Sequence, residues 1–338
     1  MGTLAAGWDT TIALVRVGLF LDLRNPPGWR RPWADHYAQT LELVEEADRL
    51  GIGSFWLSEH HFFEDGYLTQ PFTMLAAMAA RTKTARLGTA VVLAALRHPQ
   101  HLAEEAILVD LVSGGRLEIG FGAGYRVPEY EAFGKDIARR YTLTDSAMSE
   151  VRRLLEEGVL TPPPVQQPIP LWLGYQGPQG ARRAGRLGVG LLSLDRRLLP
   201  PYKEALAGAG LSPEVARMGG VIDILVADDP ERAFETVLPF YAYQANTYRR
   251  YGAEGTGQPA PADLTLDKLR SRQNEPGQIP GLRVLTPDAA IAAIRAAVEG
   301  LPVQHVYCWG SIAGMPDDLA ARHAELLATK VAPAVNDP

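Results

Sequence analysis

A carboxylate and two adjacent histidines, Glu59-His60-His61, directly follow the apolar run Phe55-Trp56-Leu57 and Ser58. The chain has 7 histidines in 338 residues, and only these two are neighbours in the sequence. Histidine and glutamate are side chains that commonly transfer protons or bind metal ions in enzymes. The preceding run is short, apolar and bounded by glycine, which indicates a buried parallel strand. Because functional groups gather at the carboxyl ends of parallel strands, we expect Glu59 and His60 to face a binding site.

Two kinds of chemistry fit this cluster poorly. Neighbouring strand residues point to opposite faces, so His60 and His61 cannot readily bind one metal ion, and the sequence has no His-x-His or His-x-x-x-His spacing. It also lacks the Gly-x-Ser-x-Gly elbow of a hydrolase with a nucleophilic serine. The sequence therefore predicts neither a catalytic metal nor a hydrolytic triad.

Two glycine-rich segments also follow predicted strands. Gly120-Phe121-Gly122-Ala123-Gly124 lacks a third glycine at the spacing of a dinucleotide-binding turn, so its small residues indicate close approach of a flat ligand or of neighbouring backbone. The second segment is Gly174-Tyr175-Gln176-Gly177-Pro178-Gln179-Gly180, which opens a predicted helix with Arg182 and Arg183 in reach. This pattern is typical of a phosphate site, although structural turns between strand and helix also use glycine.

Eight apolar segments alternate with segments of helical periodicity and predict the framework that positions these groups. The predicted strands cover residues 15–21, 51–57, 86–93, 116–122, 171–174, 189–192, 218–226 and 303–309. Eight strands that are each followed by a helix predict a (β/α)8 TIM barrel, formed by the whole chain, 1–338, as a single domain. The segments named above, together with Asp22, Ala90-Val91, His98 and Trp309, then converge on one mouth of the barrel.

The stretch 252–285, before the last strand, is rich in Gly, Pro, Gln and charged residues and has no sustained period. A loop of this length inside a compact domain is usually functional. We interpret it as an insertion that forms an active-site lid, and the alternative is a disordered excursion.

Composition narrows the class of protein further. Lys plus Arg number 33 against 39 Asp plus Glu, and no basic block is present, so nucleic acid is not an expected partner. No run approaches ~18 apolar residues, and Met1 to Leu14 lacks the pattern of a secretory signal, so we expect neither a membrane span nor export. The single cysteine, Cys308, predicts a reducing, cytoplasmic setting and is interpreted as a buried strand residue rather than a nucleophile.

Glycines, a phosphate-type loop, aromatics and histidines at one mouth indicate a flat phosphorylated cofactor such as flavin mononucleotide (FMN).

Six segments, taken in order and spacing, resemble the bacterial luciferase-like flavin-dependent monooxygenases over nearly the whole chain. They are Glu59-His60-His61-Phe62, Gly88 to Leu93 with Arg97-His98-Pro99, Leu102-Ala103-Glu104-Glu105, Ser113 to Leu117 with Gly120 to Tyr125, Phe133-Gly134, and Pro170 to Gly174. The resemblance implies a barrel that takes reduced FMN from a separate flavin reductase. It further implies reaction with O2 through a flavin hydroperoxide and oxygenation of a small to medium organic substrate, such as a carbonyl compound.

The resemblance also implies roles for individual residues. His60 would lie beside the isoalloxazine and assist proton transfer, and Ala90-Val91 would form a non-proline cis peptide against the flavin ring. Cofactor contacts are implied for Glu59, Ala90, Val91, Gly122, Ala123, Tyr125, Gly174, Tyr175, Gln176, Gly177, Pro178, Gln179 and Gly180, and a place beside the substrate or lid for His61, His98 and Trp309. The sequence departs from luciferase at Ala123, where luciferase has an arginine, so Arg126, Arg182 or Arg183 would contact the phosphate instead.

Two other functions remain open at this point. Relatives that share the barrel use a deazaflavin (F420) and transfer hydride without O2. Because this chain has Ala123 where luciferase has an arginine, deazaflavin-dependent hydride transfer stays an alternative function. A flavin-binding protein without turnover is the other alternative, and the intact His60 argues against it. The resemblance further implies a homodimer formed through the helices predicted at 71–80 and 100–111, whose small residues allow close packing.

Overall fold

The computed structural model describes residues 14–271 and 281–337. Within them the strands are β1 (Arg16–Leu21), β2 (Ser54–Leu57), β3 (Arg86–Thr89), β4 (Val92–Leu93), β5 (Leu117–Gly122), β6 (Leu171–Leu173), β7 (Gly190–Leu192), β8 (Met218–Val221), β9 (Ile224–Val226), β10 (Arg283–Leu285) and β11 (Val303–Trp309). The helices are α1 (Trp33–Arg49), α2 (Pro71–Arg81), α3 (Pro99–Ser113), α4 (Val127–Ala132), α5 (Arg140–Glu156), α6 (Gly177–Leu187), α7 (Leu199–Gly208), α8 (Pro230–Ala253), α9 (Leu266–Ser271), α10 (Pro287–Val298), α11 (Asp317–Leu326) and α12 (Ala332–Val335).

Eight parallel strands close into a barrel in the order β1, β2, β3, β5, β6, β7, β8 and β11. The barrel closes because β1 pairs with both β2 and β11, and β3 joins β5 through Leu87 and Gly88. Helices follow the strands and cover the outside. The predicted (β/α)8 barrel is confirmed. Among the described residues, no helix is long and apolar enough to cross a membrane.

Proline and glycine set the ends of several helices. Proline lies in the first turn of α2, α3, α6, α8 and α10, where its missing N–H has no intrahelical partner to lose. The left-handed residues Gly114 (φ 68°) and Gly188 (φ 64°) end α3 and α6. These local signals place each helix directly after the loop that leaves the barrel mouth.

Aromatic side chains and one charged network fill the barrel interior. Phe20, Trp56, Trp172, Leu192 and Tyr307 form a buried cluster, called here the mouth cluster, against which Ala90, Val91 and Trp309 pack. Towards the amino-terminal ends of the strands, Glu118 accepts hydrogen bonds from Arg86 (2.8 Å), Trp172 (2.6 Å) and His305 (3.1 Å). Burial opposes ionisation of Glu118, but His305 and Arg86 outweigh it and lower the pKa of its carboxyl group. The described barrel interior is therefore filled with packed side chains.

The seventh predicted strand, 218–226, is wrong as a single element. Its first part, β8, stays in the barrel, whereas β9 leaves it and pairs with β10 in a separate two-stranded sheet. The apolar run Ile224-Leu225-Val226 continues the sequence pattern, so periodicity cannot show that the pairing partner changes. The third predicted strand is likewise interrupted, at Ala90-Val91, between β3 and β4.

The predicted insertion contains regular structure. Within 252–285, the described residues include the end of α8, the helix α9 and the strand β10, and residues 272–280 lie outside the described ranges. Four of its apolar side chains, Leu264, Leu269, Leu282 and Val284, join a buried core that also includes residues of β9, α8 and the segment from β11 into α11. We call this core the insertion core, and its members are Leu225, Ala227, Ala233, Phe234, Val237, Leu238, Ala242, Leu264, Leu269, Leu282, Val284, Ile312, Met315 and Ala320. The described part is a packed layer, and its role as a lid stays a prediction.

Candidate functional site

The loop after β2 carries a histidine that is hydrogen-bonded to a buried carboxylate. His60 Nδ1 lies 2.9 Å from Glu129 Oε1, and the same oxygen accepts the backbone N–H of His61 at 2.8 Å. Glu129, on α4, is fully buried. Because this oxygen accepts a backbone N–H, it acts as an acceptor towards His60 as well, so the hydrogen of the neutral imidazole resides on Nδ1. The Nε2 of His60 is then left with a free lone pair that can take up a proton.

Aromatic rings enclose His60 and fix its orientation. The imidazole stacks on Phe63 (ring centroids 4.8 Å apart, planes at 19°) and meets the edges of Tyr67 at 4.8 Å and Tyr125 at 5.0 Å. Only 7% of His60 is exposed. Proton transfer to or from this ring therefore takes place largely shielded from solvent.

Glu59 ties the Glu-His-His segment to the strand beside it. Its Oε1 accepts from His61 Nε2 (3.0 Å) and from Arg97 (2.8 Å), and its Oε2 accepts the N–H of Leu93 (2.8 Å). Burial opposes ionisation, but the bonds from His61 and Arg97 outweigh it and lower the pKa of Glu59. Both carboxylate oxygens are thus occupied by this chain, and Glu59 anchors His60 next to the segment that follows Val91.

The Ala90-Val91 peptide is cis, as the resemblance implied. Both residues are partly exposed and pack on the mouth cluster, and we call them the ledge. A Cβ on Gly122 would lie 2.0 Å from Val91 Cγ2, and one on Gly174 would lie 2.5 Å from Val91 Cγ1. These two glycines are therefore required by a neighbouring side chain rather than by neighbouring backbone.

The predicted phosphate loop leads into the first turn of α6. Gln176 precedes the helix and its side chain makes no capping hydrogen bond, so the N-cap residue leaves the first N–H groups of α6 without the partner that such a side chain usually provides. Gly177 has a positive φ (71°) and open space around it. Pro178 and Gln179 are exposed, whereas Tyr175 is buried and donates its hydroxyl hydrogen to Asp145 at 3.0 Å. Uncapped N–H groups and the helix dipole together favour an anion at this position.

The arginines offered in place of the one missing at Ala123 differ in their partners. Arg183 pairs with Asp145, and Arg126 pairs with Glu254 and also donates to the carbonyl of His61. Arg182, also on α6, makes no ion pair within residues 14–271 and 281–337. Of the three, Arg182 is the one whose charge no carboxylate of the described chain balances.

Three other predicted residues lie in different surroundings. His98 is exposed, and its Nδ1 accepts the N–H of Gln100 at 3.2 Å, which caps α3 and leaves it outside the cluster around His60. Trp309, at the end of β11, packs against Phe20 (4.7 Å between centroids). Cys308 is buried, and burial raises the pKa of its thiol to about 12, so the thiol is protonated at neutral pH.

Several side chains of the mouth were missed by the sequence analysis. Glu129 follows Val127-Pro128, and a proline followed by an acidic residue is a signal for the first turn of a helix that could have indicated α4. A second group is the buried ion pair of Arg24 with Asp65 (Nε to Oδ2, 2.7 Å), which lies beside Asp22, a residue that the sequence does place at the mouth. Burial raises the pKa of Asp22 to about 7, while the charge of Arg24 opposes this rise. No sequence pattern distinguishes these charged residues from solvent-exposed ones.

Two further observations concern where a ligand could bind. A cavity of about 810 Å³ lies between α1 and α11. Its lining contains none of the predicted mouth residues, so chemistry rather than cavity size places the candidate site at the mouth. Across the described ranges, no group of three or more His, Cys, Asp and Glu side chains is arranged to hold a metal ion.

The fold and the site together define a class of protein: a (β/α)8 barrel with a histidine–carboxylate pair at its carboxyl-terminal mouth. The chain belongs to the luciferase-like monooxygenase family, whose family model matches residues 15–305. The protein is therefore an oxidoreductase of the monooxygenase type.

Characterised relatives carry names consistent with this family. Limonene 1,2-monooxygenase of Rhodococcus erythropolis is 29% identical over 341 residues, which cover 91% of this chain and 84% of the relative. The oxygenase component of a flavin-dependent trigonelline monooxygenase of Acinetobacter baylyi is 42% identical over 95 residues, or 28% of this chain and 26% of the relative.

Solved structures share the fold over nearly the full chain. The monooxygenase RslO1 of Streptomyces bottropensis has a TM-score of 0.77 and 25% identity, with 94% of this chain and 99% of that chain covered. The oxygenating constituent of 3,6-diketocamphane monooxygenase of Pseudomonas putida, solved with FMN, has a TM-score of 0.73 at 20% identity over 96% and 99% of the two chains. An F420-dependent secondary alcohol dehydrogenase has a TM-score of 0.70 at 18% identity over 96% and 100%. The last two likenesses concern the fold alone.

Proposed function

We propose that this protein is a flavin-dependent monooxygenase. It uses reduced FMN, supplied by a separate flavin reductase, and O2 to oxygenate a small to medium apolar organic substrate. The observation that carries the proposal is the buried His60–Glu129 pair, which Glu59 and Leu93 join to the ledge. Flavin dependence and an oxygenase component in the name of the trigonelline relative support the flavin and the separate reductase.

The residues of the mouth fit FMN. The partly exposed ledge and the aromatic mouth cluster beneath it offer a flat apolar surface that would hold the isoalloxazine ring. The uncapped first turn of α6, with Arg182 close in sequence, would hold the phosphate. Bound reduced flavin supplies the electrons that reduce one atom of O2 to water while the other enters the substrate.

The chain itself contributes proton transfer and exclusion of water. His60 takes up or releases a proton at Nε2, and Glu129 stabilises the charged imidazolium through Nδ1. Phe63, Tyr67 and Tyr125 hold the ring in place and reduce access of water. Trp309 and the insertion core close the side of the mouth on which we place the apolar substrate.

Transfer of hydride to or from a deazaflavin is the second candidate function. The observation that favours it is Ala123, a buried alanine where luciferase has an arginine, so one expected FMN phosphate contact is absent. A titration with oxidised FMN, reduced FMN and F420 separates the two cofactors. Binding of F420 alone would support hydride transfer and contradict the monooxygenase proposal.

The turnover test uses the full chain with FMN, NADH, a flavin reductase and isotopically labelled O2. We expect limonene, cyclic ketones or straight-chain aldehydes to gain one labelled oxygen atom. His60→Ala should abolish this incorporation, whereas His101→Ala, which changes an exposed histidine of α3, should keep it. If His60→Ala oxygenates as well as the native protein does, His60 has no catalytic role.

We also propose a homodimer formed through α2 and α3. Leu108 (56% exposed) and Val112 (54% exposed) lie one turn apart on the outer face of α3. Exposed large apolar side chains that lie together are typical of an interface. The exposed apolar pair on α3 therefore supports the dimer interface that the resemblance implies.

A further inference from the structure

Trp309 lies where the mouth cluster and the insertion core meet. Its ring packs against both the mouth cluster and the insertion core. On the mouth side it meets the ring of Phe20 edge to face, at 4.7 Å and 81°. This one ring therefore lies between the mouth and the packed layer to which the insertion belongs.

A single carboxylate holds the indole of Trp309. Asp223 Oδ1 accepts the Nε1–H of Trp309 at 2.9 Å. Asp223 lies in the break between β8 and β9, where Ile222 N–H still donates to the carbonyl of Tyr307 at 2.9 Å and so keeps this segment beside β11. This hydrogen bond holds Asp223 next to Trp309, the last residue of β11.

The backbone of Asp223 is bound to the insertion. Its carbonyl accepts the N–H of Arg283 at 3.0 Å, and Arg283 is the first residue of β10, the strand on which the chain returns from the insertion. The register of β9 with β10 continues this contact from Ile224 to Val226. One residue thus bonds to the insertion through its main chain and to the mouth through its side chain.

We infer that Asp223 is a positioning residue that fixes Trp309 as the wall between the insertion and the mouth, and so selects substrates with an apolar ring that packs on the indole. The inference rests on the proposed function, because it concerns the substrate side of the same site. Flat or cyclic apolar groups gain contact from a ring held in one orientation. Straight chains adapt to a mobile wall and depend on it less.

The experiment compares the native protein with Asp223→Ala, Asp223→Asn and Trp309→Phe, using limonene and decanal with FMN and a flavin reductase. Asp223→Ala should raise KM for limonene roughly tenfold, the effect of losing one partly buried hydrogen bond, with kcat changed by less than about twofold. The KM for decanal should change less. Asp223→Asn should behave like the native protein, because its amide oxygen still accepts the indole N–H.

A double-mutant cycle and a ligand-free measurement complete the test. Trp309→Phe removes the indole N–H, so adding Asp223→Ala to it should have no further effect on KM. In protein labelled with 5-fluorotryptophan, Asp223→Ala should shift the ¹⁹F resonance that is missing from Trp309→Phe, and Asp223→Asn should not.

Four outcomes would overturn the inference, and the last of them would also overturn the proposed function. Independent effects of the two substitutions on KM, or an unshifted Trp309 resonance in Asp223→Ala, would overturn the inference. If the native protein oxygenates substrate but Asp223→Ala keeps the native preference for limonene over decanal, the inference alone fails. If the native protein oxygenates neither limonene nor decanal, nor any of the cyclic ketones and aldehydes of the turnover test, the proposed function fails and the inference fails with it.

Discussion

Replacing Glu129 by glutamine tests whether a carboxylate, and not only a hydrogen-bond acceptor, must hold His60. Glutamine has nearly the same shape, and its oxygen can still accept from His60 Nδ1 (2.9 Å) and from the N–H of His61 (2.8 Å). What is lost is the negative charge opposite the imidazole. The second oxygen of Glu129 is buried and has no hydrogen-bond partner among the described residues, so the new amide group has none there either.

The size of the effect follows from these two contacts. A hydrogen bond to a charged group contributes about 1.5–3 kcal/mol, whereas a neutral one contributes about 0.5–1.5 kcal/mol. Glu129→Gln therefore costs about 1–1.5 kcal/mol of stabilisation whenever His60 carries a positive charge. If that charge develops in the rate-limiting step, kcat falls roughly 5- to 13-fold.

The assay follows substrate-dependent O2 uptake with reduced FMN, together with FMN titration of the same variants. We expect kcat to fall while the Kd for FMN stays within about twofold, because Glu129 acts on His60 and not on the cofactor. Glu131→Gln is the matched control, since Glu131 is an exposed residue of the same helix, α4. A native kcat in Glu129→Gln would refute the reasoning, and an equal loss in Glu131→Gln would assign the effect to α4 itself.

Three further substitutions test other parts of the structure. Asp22→Asn should raise the free energy of unfolding by up to about 4 kcal/mol above pH 7 and change it little near pH 4. The reason is that burial raises the pKa of Asp22 from 3.8 to about 7, so the native state binds this proton more tightly than the unfolded state and loses stability as pH rises through that window. Gly122→Ala should lower the unfolding free energy by about 1–3 kcal/mol or more and weaken FMN binding, since its Cβ would lie 2.0 Å from Val91 Cγ2. Leu108→Asp should turn a dimer into a monomer in light-scattering measurements.

Matched controls decide the reading of these variants. Asp65→Asn should destabilise the protein, because Asp65 accepts the hydrogen of Arg24 Nε, and equal stabilisation by both aspartate variants would contradict the account of Asp22. Gly28→Ala should be tolerated, since nothing lies within 4 Å of its Cβ position. Leu266→Asp, which alters an exposed leucine of α9, should leave the dimer intact, and a native protein that is already monomeric would contradict the proposed interface.

The sequence contains enough information to predict the barrel and the place of its mouth. Each predicted barrel strand is a short apolar run bounded by turn residues. A barrel strand lies within or close to each of the eight predicted ranges, although the third and the seventh are each divided into two strands. Glu59, His60 and His61 follow β2 as expected, because a buried apolar strand ends where polar residues begin. The resemblance supplied the cis peptide at Ala90-Val91, which no periodicity indicates.

The parts that could not be predicted depend on partners that are distant in the sequence. Glu129 lies far along the chain from His60, and only the closed barrel brings their strands to one mouth. The change of partner from β11 to β10 has no distinct signal in the sequence, because the apolar residues on either side of Asp223 fit one long strand as well as two short ones. The buried charge of Arg24 has the same sequence appearance as a surface arginine, because burial is a property of the completed fold.

The most direct test of the central claim is mass spectrometry of products formed under ¹⁸O2 by the full chain with FMN, NADH and a flavin reductase. The proposed function predicts a product that carries one ¹⁸O atom, formed by the native protein and by His101→Ala but not by His60→Ala. Binding of F420 with reduction or oxidation of a substrate and no uptake of ¹⁸O would contradict it, and would assign this barrel to hydride transfer.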